Sequence, residues 1–257
     1  MTSTPPESNE NRAVYKPEKV ISRESIHRLI ADIKEIIKNP LTSQNIYYSH
    51  HESDMLKGYA LIIGPEDTIY DGGFYFFEFS FPYDYPYSPP KVTYCTNDGI
   101  TRFNPNLYRN GKVCVSILNT WTGDQWSSCQ SITSVLLTLC TLLNSAPFLN
   151  EPGIKKTHPE YDAYHKIIEY KNYNVAILDM ITKTNGIYPL QFDPFYCFMR
   201  EYFINNYDRL LEKINKYVVE QNNTPEYITC KFYNMAIKID YNIIMDRFKE
   251  VYSELIK

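Results

Sequence analysis

The stretch from Gln130 to Leu143 constrains this chain most. It is apolar almost all the way round a helix, with Thr and Ser interrupting Ile132, Val135, Leu136, Leu139, Leu142 and Leu143. A helix without a polar face cannot lie on a surface and has to be enclosed. The run is too short to span a bilayer, so no membrane is expected and the enclosure must be protein. The pattern predicts a central buried helix around which the rest of the fold is built.

What surrounds it follows from punctuation. Ser22 is placed to cap an amphipathic helix running to about Lys38, with Ile26, Leu29, Ile30, Ile33, Ile36 and Ile37 at helical spacing and Asn39-Pro40 as the stop. Strand-like runs follow at Lys57 to Ile63, Phe74 to Phe81 and Lys91 to Cys95, bounded by Gly64-Pro65, Gly72-Gly73 and the stretch Pro86 to Pro90. Short turns between such runs predict an antiparallel meander. Phe103 to Trp126 loses periodicity and collects Asn, Gly and Pro, as a functional loop does. A further helix is expected from about Glu160 to Lys183, ending near Asn185-Gly186.

The last seventy or so residues read as a separate unit. Asp193-Pro194 is expected to start a helix carrying Phe195, Phe198, Tyr202, Leu210, Ile214 and Tyr217, and Asp240 to cap a second with Ile244, Phe248, Val251 and Leu255. Tyr227 to Ile237 fits strand or helix. The division expected is a disordered tail over 1–21, a core over 22–185 and a mainly helical C-terminal extension over 186–257.

Charge narrows the partners. The net charge is −4, and residues 1–150 hold 12 basic and 15 acidic side chains against 14 and 15 in the remainder. With no basic block to track phosphates, nucleic acid is not an expected partner. The 6 cysteines show no metal-ligand spacing and no secretory context, so no metal or cofactor is expected. Reduced thiols, most of them small core hydrophobes, fit a cytoplasmic or nuclear location.

One cysteine has a different setting. Cys114 ends the run Phe103-Asn104-Pro105-Asn106-Leu107-Tyr108-Arg109-Asn110-Gly111-Lys112-Val113-Cys114. A thiolate is a good nucleophile, its thioester is an activated acyl donor, and an amide such as that of Asn106 can support the oxyanion formed when an amine attacks. Taken alone, the stretch fits better a buried strand-end cysteine beside a turn asparagine, because free cysteines are commonly buried. A cysteine hydrolase fits badly, since no histidine lies between His51 and His158. His50, His51, His158 and His165 show no triad or zinc spacing, and Gly72-Gly73 is a hairpin turn with no helix following it to hold phosphate.

The larger series changes the weighting. Gly64-Pro65, Tyr70-Asp71-Gly72-Gly73, Phe81-Pro82-Tyr83-Asp84-Tyr85-Pro86-Tyr87-Ser88-Pro89-Pro90-Lys91-Val92, the cysteine loop, Trp126-Ser127, the buried helix and Asn150-Glu151-Pro152 follow in order over about residues 22–183. This resembles the ubiquitin-conjugating enzyme family. The resemblance implies an α+β fold: a four-stranded antiparallel meander, a helix in front, a buried central helix and helices behind. It implies that Cys114 forms a thioester with ubiquitin or a ubiquitin-like protein received from an activating enzyme. Asn106 then matches the asparagine of the family's His-Pro-Asn motif, and Glu151 the acidic gate residue that positions the incoming lysine of a protein substrate.

Several positions depart from the family pattern. Asn104 stands in place of the motif histidine, and Ser116 where Asp is common. Extra residues flank the cysteine, including Trp121-Thr122-Gly123. These variants are most similar to the family's Z-type branch, which also carries a C-terminal extension. The resemblance places the activating-enzyme surface on the first helix, with Arg23, Arg28 and Lys34 as candidates; a solvated helix face accounts for them equally well. It places ligase docking on loops holding Tyr87 and Ser127-Ser128-Cys129, with Ser128 in place of a family proline. Trp126 reads as packing beneath the loop. The alternative to an active enzyme is a catalytically idle module of the same fold that presents ubiquitin to another enzyme.

Overall fold

In the computed structural model, which describes residues 20–222 and 224–257, the element order begins with a helix and continues into a meander. Helix α1 (Arg23–Lys38) is capped by Ser22, whose Oγ accepts from the Ser25 amide at 3.0 Å. Four strands follow, β1 (Ile46–His50), β2 (Lys57–Ile63), β3 (Phe74–Ser80) and β4 (Lys91–Tyr94), antiparallel and in sequence order. The three expected strands lie where the turn residues placed them, to within a residue at β3 and β4. β1 had no counterpart among them: it pairs with β2 in the register Ile46↔Ile62 to His50↔Gly58. Most of the expected tail, residues 1–19, lies outside the described residues; Val20 and Ile21 precede the α1 cap without helical structure.

The apolar run forms α2 (Ile132–Leu142), with Ile132, Val135, Leu136 and Leu139 at most 1% exposed. Helix α3 (Tyr161–Lys171) continues as a π-helix over Asn172–Asp179, so the single long helix expected there is widened in its second half. That widened turn sets Asn172 against the β2–β3 connection. Its Nδ2 donates to Asp71 O at 2.8 Å and its Oδ1 accepts from Tyr75 at 2.7 Å. Gly73 makes the approach possible, since a Cβ there would lie 2.0 Å from Asn172 Oδ1.

The extension contains α4 (Tyr196–Glu220), a hairpin of β5 (Glu226–Cys230) and β6 (Met235–Ile239), and α5 (Tyr241–Leu255). The ambiguous segment is therefore a two-stranded hairpin. Asp193-Pro194 do not start α4 but sit in a 3-10 turn before it, where Asp193 pairs with Lys183 at 2.9 Å. Asp240 stands at the N-cap of α5 without a capping bond; the Tyr241 amide is taken by Gln221 Oε1 at 3.0 Å instead.

The extension packs on the core. Its buried side chains join one continuous hydrocarbon cluster with those of the core. The reason lies in β3, whose residues point alternately to the two faces of the sheet. Tyr75 and Phe77 meet Tyr70, Phe103 and Tyr94, while Phe74 and Phe76 meet Tyr202, Tyr188 and Phe192. Both faces are thus covered, the second by the extension.

A buried carboxylate reinforces this docking. Asp71, with a side chain 3% exposed, accepts from Arg209 Nη1 at 2.7 Å and Nη2 at 3.1 Å and from Lys213 Nζ at 2.5 Å. The two cations are 30% and 31% exposed, so water recovers part of their solvation when the pair is lost. Asp71→Asn is expected to lower stability by about 1–3 kcal/mol, the scale of charge-assisted hydrogen bonds. The urea midpoint measures it; a shift worth under about 0.5 kcal/mol would mean that apolar packing alone holds the extension.

Candidate active site

The loop bearing Cys114 is built from its entrance. The Asp98 carboxylate accepts from the Thr101 amide at 2.7 Å and pairs with Lys171 at 3.0 Å. Burial would raise its pKa, but the Thr101 hydrogen bonds and Lys171 outweigh it and hold the carboxyl below its usual range. Arg102 then folds back over the loop, donating to Asn104 O at 3.1 Å and Pro105 O at 2.6 Å, with its guanidinium 3.3 Å from the Tyr108 ring centroid.

Asn104, fully buried, is the hub. Its Nδ2 donates to Tyr70 Oη at 3.0 Å and Leu142 O at 2.8 Å, and its Oδ1 accepts from the Asn106 amide at 2.9 Å. The residue that departs from the family histidine thus ties the loop to the β2–β3 connection and to the end of α2. Leu107 to Val113 make a narrow hairpin turned by Gly111 at φ +84°, which delivers Cys114.

Cys114 and Asn106 are brought together. The Cys114 amide donates to Asn106 O at 2.9 Å, and Asn106 Nδ2 donates to Cys114 O at 2.7 Å. In this state the amide orders the loop. Asn106 Oδ1 is buried without a partner among the described residues, an arrangement that costs about 1–3 kcal/mol and leaves the amide something to gain by turning.

The Cys114 side chain is 3% exposed, yet it stands outside the hydrocarbon cluster. Its Sγ donates to Thr120 O at 2.9 Å, and Asn119 to Gln125 above it are all exposed. Thr120, within this exposed segment, is what the thiol meets. A groove of about 450 Å³ runs alongside, lined by Pro89, Pro90, Val92, Gly111, Lys112 and Thr120. Trp126 donates Nε1–H to Pro86 O at 2.6 Å and closes the far end of the loop. Ser116 lies beneath Gly123, whose added Cβ would sit 3.1 Å from it, so the extra Trp121-Thr122-Gly123 segment folds back over this small residue.

Glu151 follows the 3-10 turn Pro147–Asn150 and is half-buried. Its Oε2 accepts from Tyr233 Oη at 2.5 Å. Tyr233, in the turn of the β5–β6 hairpin, carried no signal in the sequence, since the contact spans 82 residues. Burial, then the Glu151 carboxylate, push its phenol far above the ordinary value, so it donates at neutral pH.

The remaining candidates are spread out. Arg23 and Lys34 are exposed on α1. Arg28 is turned inward, donating to Asp32 at 2.9 Å, Ser128 O at 2.5 Å and Gln130 O at 2.6 Å. It holds the loop before α2, while Tyr85 donates to the same Asp32. Tyr87 is 71% exposed and Ser128 is exposed. Among the cysteines, Cys230 joins the cluster fully buried, Cys95 and Cys140 are half-buried and packed against it, and Cys129 and Cys197 are exposed. Burial pushes the Cys95 thiol up to about 12.

A four-stranded antiparallel meander with a buried helix, a helix in front and helices behind is the α+β ubiquitin-conjugating fold. The family model described as ubiquitin-conjugating enzyme matches residues 28–173, more than half of the chain, and the chain belongs to this family. It is 45% identical over 163 residues to ubiquitin-conjugating enzyme E2 Z of Danio rerio, covering 62% of this chain and 49% of that protein. It is 42% identical over 184 residues to ubiquitin-conjugating enzyme E2 Z of Homo sapiens, covering 70% and 50%. A ubiquitin-conjugating enzyme E2 of African swine fever virus is 31% identical over 160 residues, covering 61% and 71%. The chain is thus similar to the Z-type branch and spans about half the length of the two E2 Z relatives.

Asn104→Ala removes both donors and the acceptor that satisfy Tyr70, Leu142 and Asn106. It is expected to destabilise the protein by roughly 1–3 kcal/mol and to speed amide exchange at Asn106 and Cys114. Unchanged exchange there would mean that the loop is held without Asn104.

Proposed function

We propose that this chain accepts ubiquitin or a ubiquitin-like protein from an activating enzyme as a thioester on Cys114 and passes it to a substrate lysine. The observation that carries this reading is the position of the thiol: outside the hydrocarbon cluster, bonded to Thr120 of an exposed segment, with its neighbour Val113 and its partner Thr120 both lining a groove. Uncovering it requires Thr120 to move, and Thr120 is also held to Val113 and Val115 through its hydroxyl. The groove suits an extended carboxyl-terminal tail of the tag.

In the first step the Cys114 thiolate attacks the donor thioester, a new C–S bond forms, and the activating enzyme's thiolate leaves. In the second the lysine nitrogen attacks the same carbonyl carbon, the amide forms, Cys114 leaves as thiolate, and the amine proton passes to solvent. A thioester is already activated, so placement of the amine and support of the oxyanion dominate. Asn106 spends one Nδ2 hydrogen on Cys114 O; the other is the donor for the oxyanion. Glu151 receives the ammonium, which loses a first proton to solvent so that the neutral amine attacks.

Exposed Arg23 and Lys34 remain the residues we propose for the activating-enzyme surface, with Arg28 shaping that face from within. Exposed Tyr87 and the Ser128 loop are proposed for a ligase. The covered thiol and the engaged Glu151 favour one second reading, a carrier that charges but discharges only when a partner opens the site.

Cys114→Ala should abolish a reductant-sensitive adduct with the tag, and Cys114→Ser should trap a reductant-stable ester, both read on gels. A labile adduct on Cys114→Ala would remove the assignment. Glu151→Ala should slow discharge to lysine by about tenfold or more while slowing charging less. Equal loss of both steps would point to misfolding instead, and charging without any discharge in the unaltered chain would favour the carrier.

A further inference from the structure

We propose that Tyr233, in the turn of the C-terminal hairpin, is a positioning residue of the acyl-transfer site, its hydroxyl fixing the Glu151 carboxylate so that one oxygen stays free for the incoming amine. The inference rests on the transfer reading given above. It makes the extension part of the site.

The hairpin is held from several sides, so the position of the phenol is determined before Glu151 is considered. The Glu160 carboxylate accepts from the Lys231 amide at 2.9 Å and the Phe232 amide at 2.8 Å, gripping the turn. Arg109 donates to Tyr233 O, and the Arg102 amide reaches Met235 Sδ at 3.3 Å. The Tyr233 ring lies 5.5 Å from the Tyr164 centroid and 5.9 Å from that of Phe148. The Arg102 guanidinium stands 5.4 Å above it. Packing fixes the ring, and the hydroxyl then has one partner, Glu151 Oε2.

Glu151 needs such a partner. It ends a short 3-10 turn and precedes Pro152 and Gly153, both exposed, and its one side-chain hydrogen bond among the described residues is to Tyr233. A glutamate left free loses much rotamer entropy when it must present a carboxylate to an amine. One hydrogen bond to Oε2 removes most of that freedom in advance, as a second layer of residues does for metal-binding carboxylates. Among the described residues no protein group donates to Oε1. Because burial and the neighbouring carboxylate keep the phenol protonated, the donor persists through the neutral range.

The same hairpin contact reaches the cysteine loop. Arg102, which stands over Tyr233, also holds Asn104 O and Pro105 O, one residue from Asn106. The gate carboxylate and the asparagine loop therefore share one support, supplied partly by the extension.

The test is single-turnover discharge of the charged full chain onto free lysine, for the unaltered protein, Tyr233→Phe, Glu151→Ala and the double variant. Tyr233→Phe keeps the ring and its packing and removes only the hydroxyl. It should slow discharge about 5- to 10-fold, and more than it slows charging, the scale on which one orienting hydrogen bond acts. In the Glu151→Ala background the same change should alter discharge less than about twofold, because the group it positions is gone. An equal loss in both backgrounds would assign Tyr233 a purely structural role, no loss would leave it idle, and faster discharge would make it a latch that competes with the amine; each overturns the proposal. Tyr233→Ala, with thermal melting recorded, separates loss of the whole contact from loss of the hydroxyl. Failure of the unaltered chain to charge at Cys114 would remove the transfer reading itself and this inference with it, whereas normal charging and discharge with an indifferent Tyr233→Phe removes only this inference.

Discussion

A strand buried on both faces sets the terms for the rest of this molecule. In an isolated meander one face of the sheet packs on the core and the other can meet water. Here Phe74 and Phe76 point away from the core side of β3 yet are fully buried. Each such aromatic gains roughly 2–3 kcal/mol from leaving water, so an uncovered pair would be a large exposed apolar patch. Tyr188, Phe192 and Tyr202 supply the cover, which pins the start of the extension to the sheet. Asp71 with Arg209 and Lys213 pins α4 to the β2–β3 connection. Once those ends are placed, the path of the chain carries the β5–β6 hairpin past α3 to Glu151.

The polar side of the site obeys a similar accounting. Asn104 uses two donor bonds and one acceptor bond, all buried. A neutral imidazole offers one donor and one acceptor and would leave one of Tyr70, Leu142 or Asn106 unserved. The asparagine in place of the motif histidine is therefore a working element of this loop. Arg28 makes the same point at the other end: its donors go to Asp32 and to the carbonyls before α2, and charge on a helix surface is here structural support.

Much of this was legible in advance because it depends on local pattern. The Ser22 cap, the α1 spacing, the bounds of β2 to β4 and the all-apolar α2 each follow from residues within one segment. β1 escaped because Tyr47, Tyr48, Ser49 and His50 are all half-buried and alternate weakly, and the strand exists through its pairing with β2. Asp193-Pro194 looked like a helix start because Asp caps and Pro opens helices, but the carboxylate finds Lys183 first. Cys114, Asn106 and Glu151 were picked out by motif. What holds them was not: Thr120 takes the thiol through its backbone, and Tyr233 reaches Glu151 across 82 residues, where no spacing rule applies.

The anchors of the extension differ in strength along its length, and that gradient has a consequence. The sheet cover is apolar and extensive, and the Asp71 cluster is charge-assisted and buried. The hairpin has only two strands, with Ile228, Cys230, Met235 and Ile239 turned inward, and two strands alone are marginal in water. It persists because α3, Glu160 and the two arginines hold it. Its tip meets the turn ending at Glu151 through the Tyr233 hydrogen bond and through Phe232 and Tyr233 against Phe148. Local opening follows the weakest anchors first. The hairpin, whose tip meets Glu151, is thus held less firmly than α4, which the sheet cover and Asp71 dock.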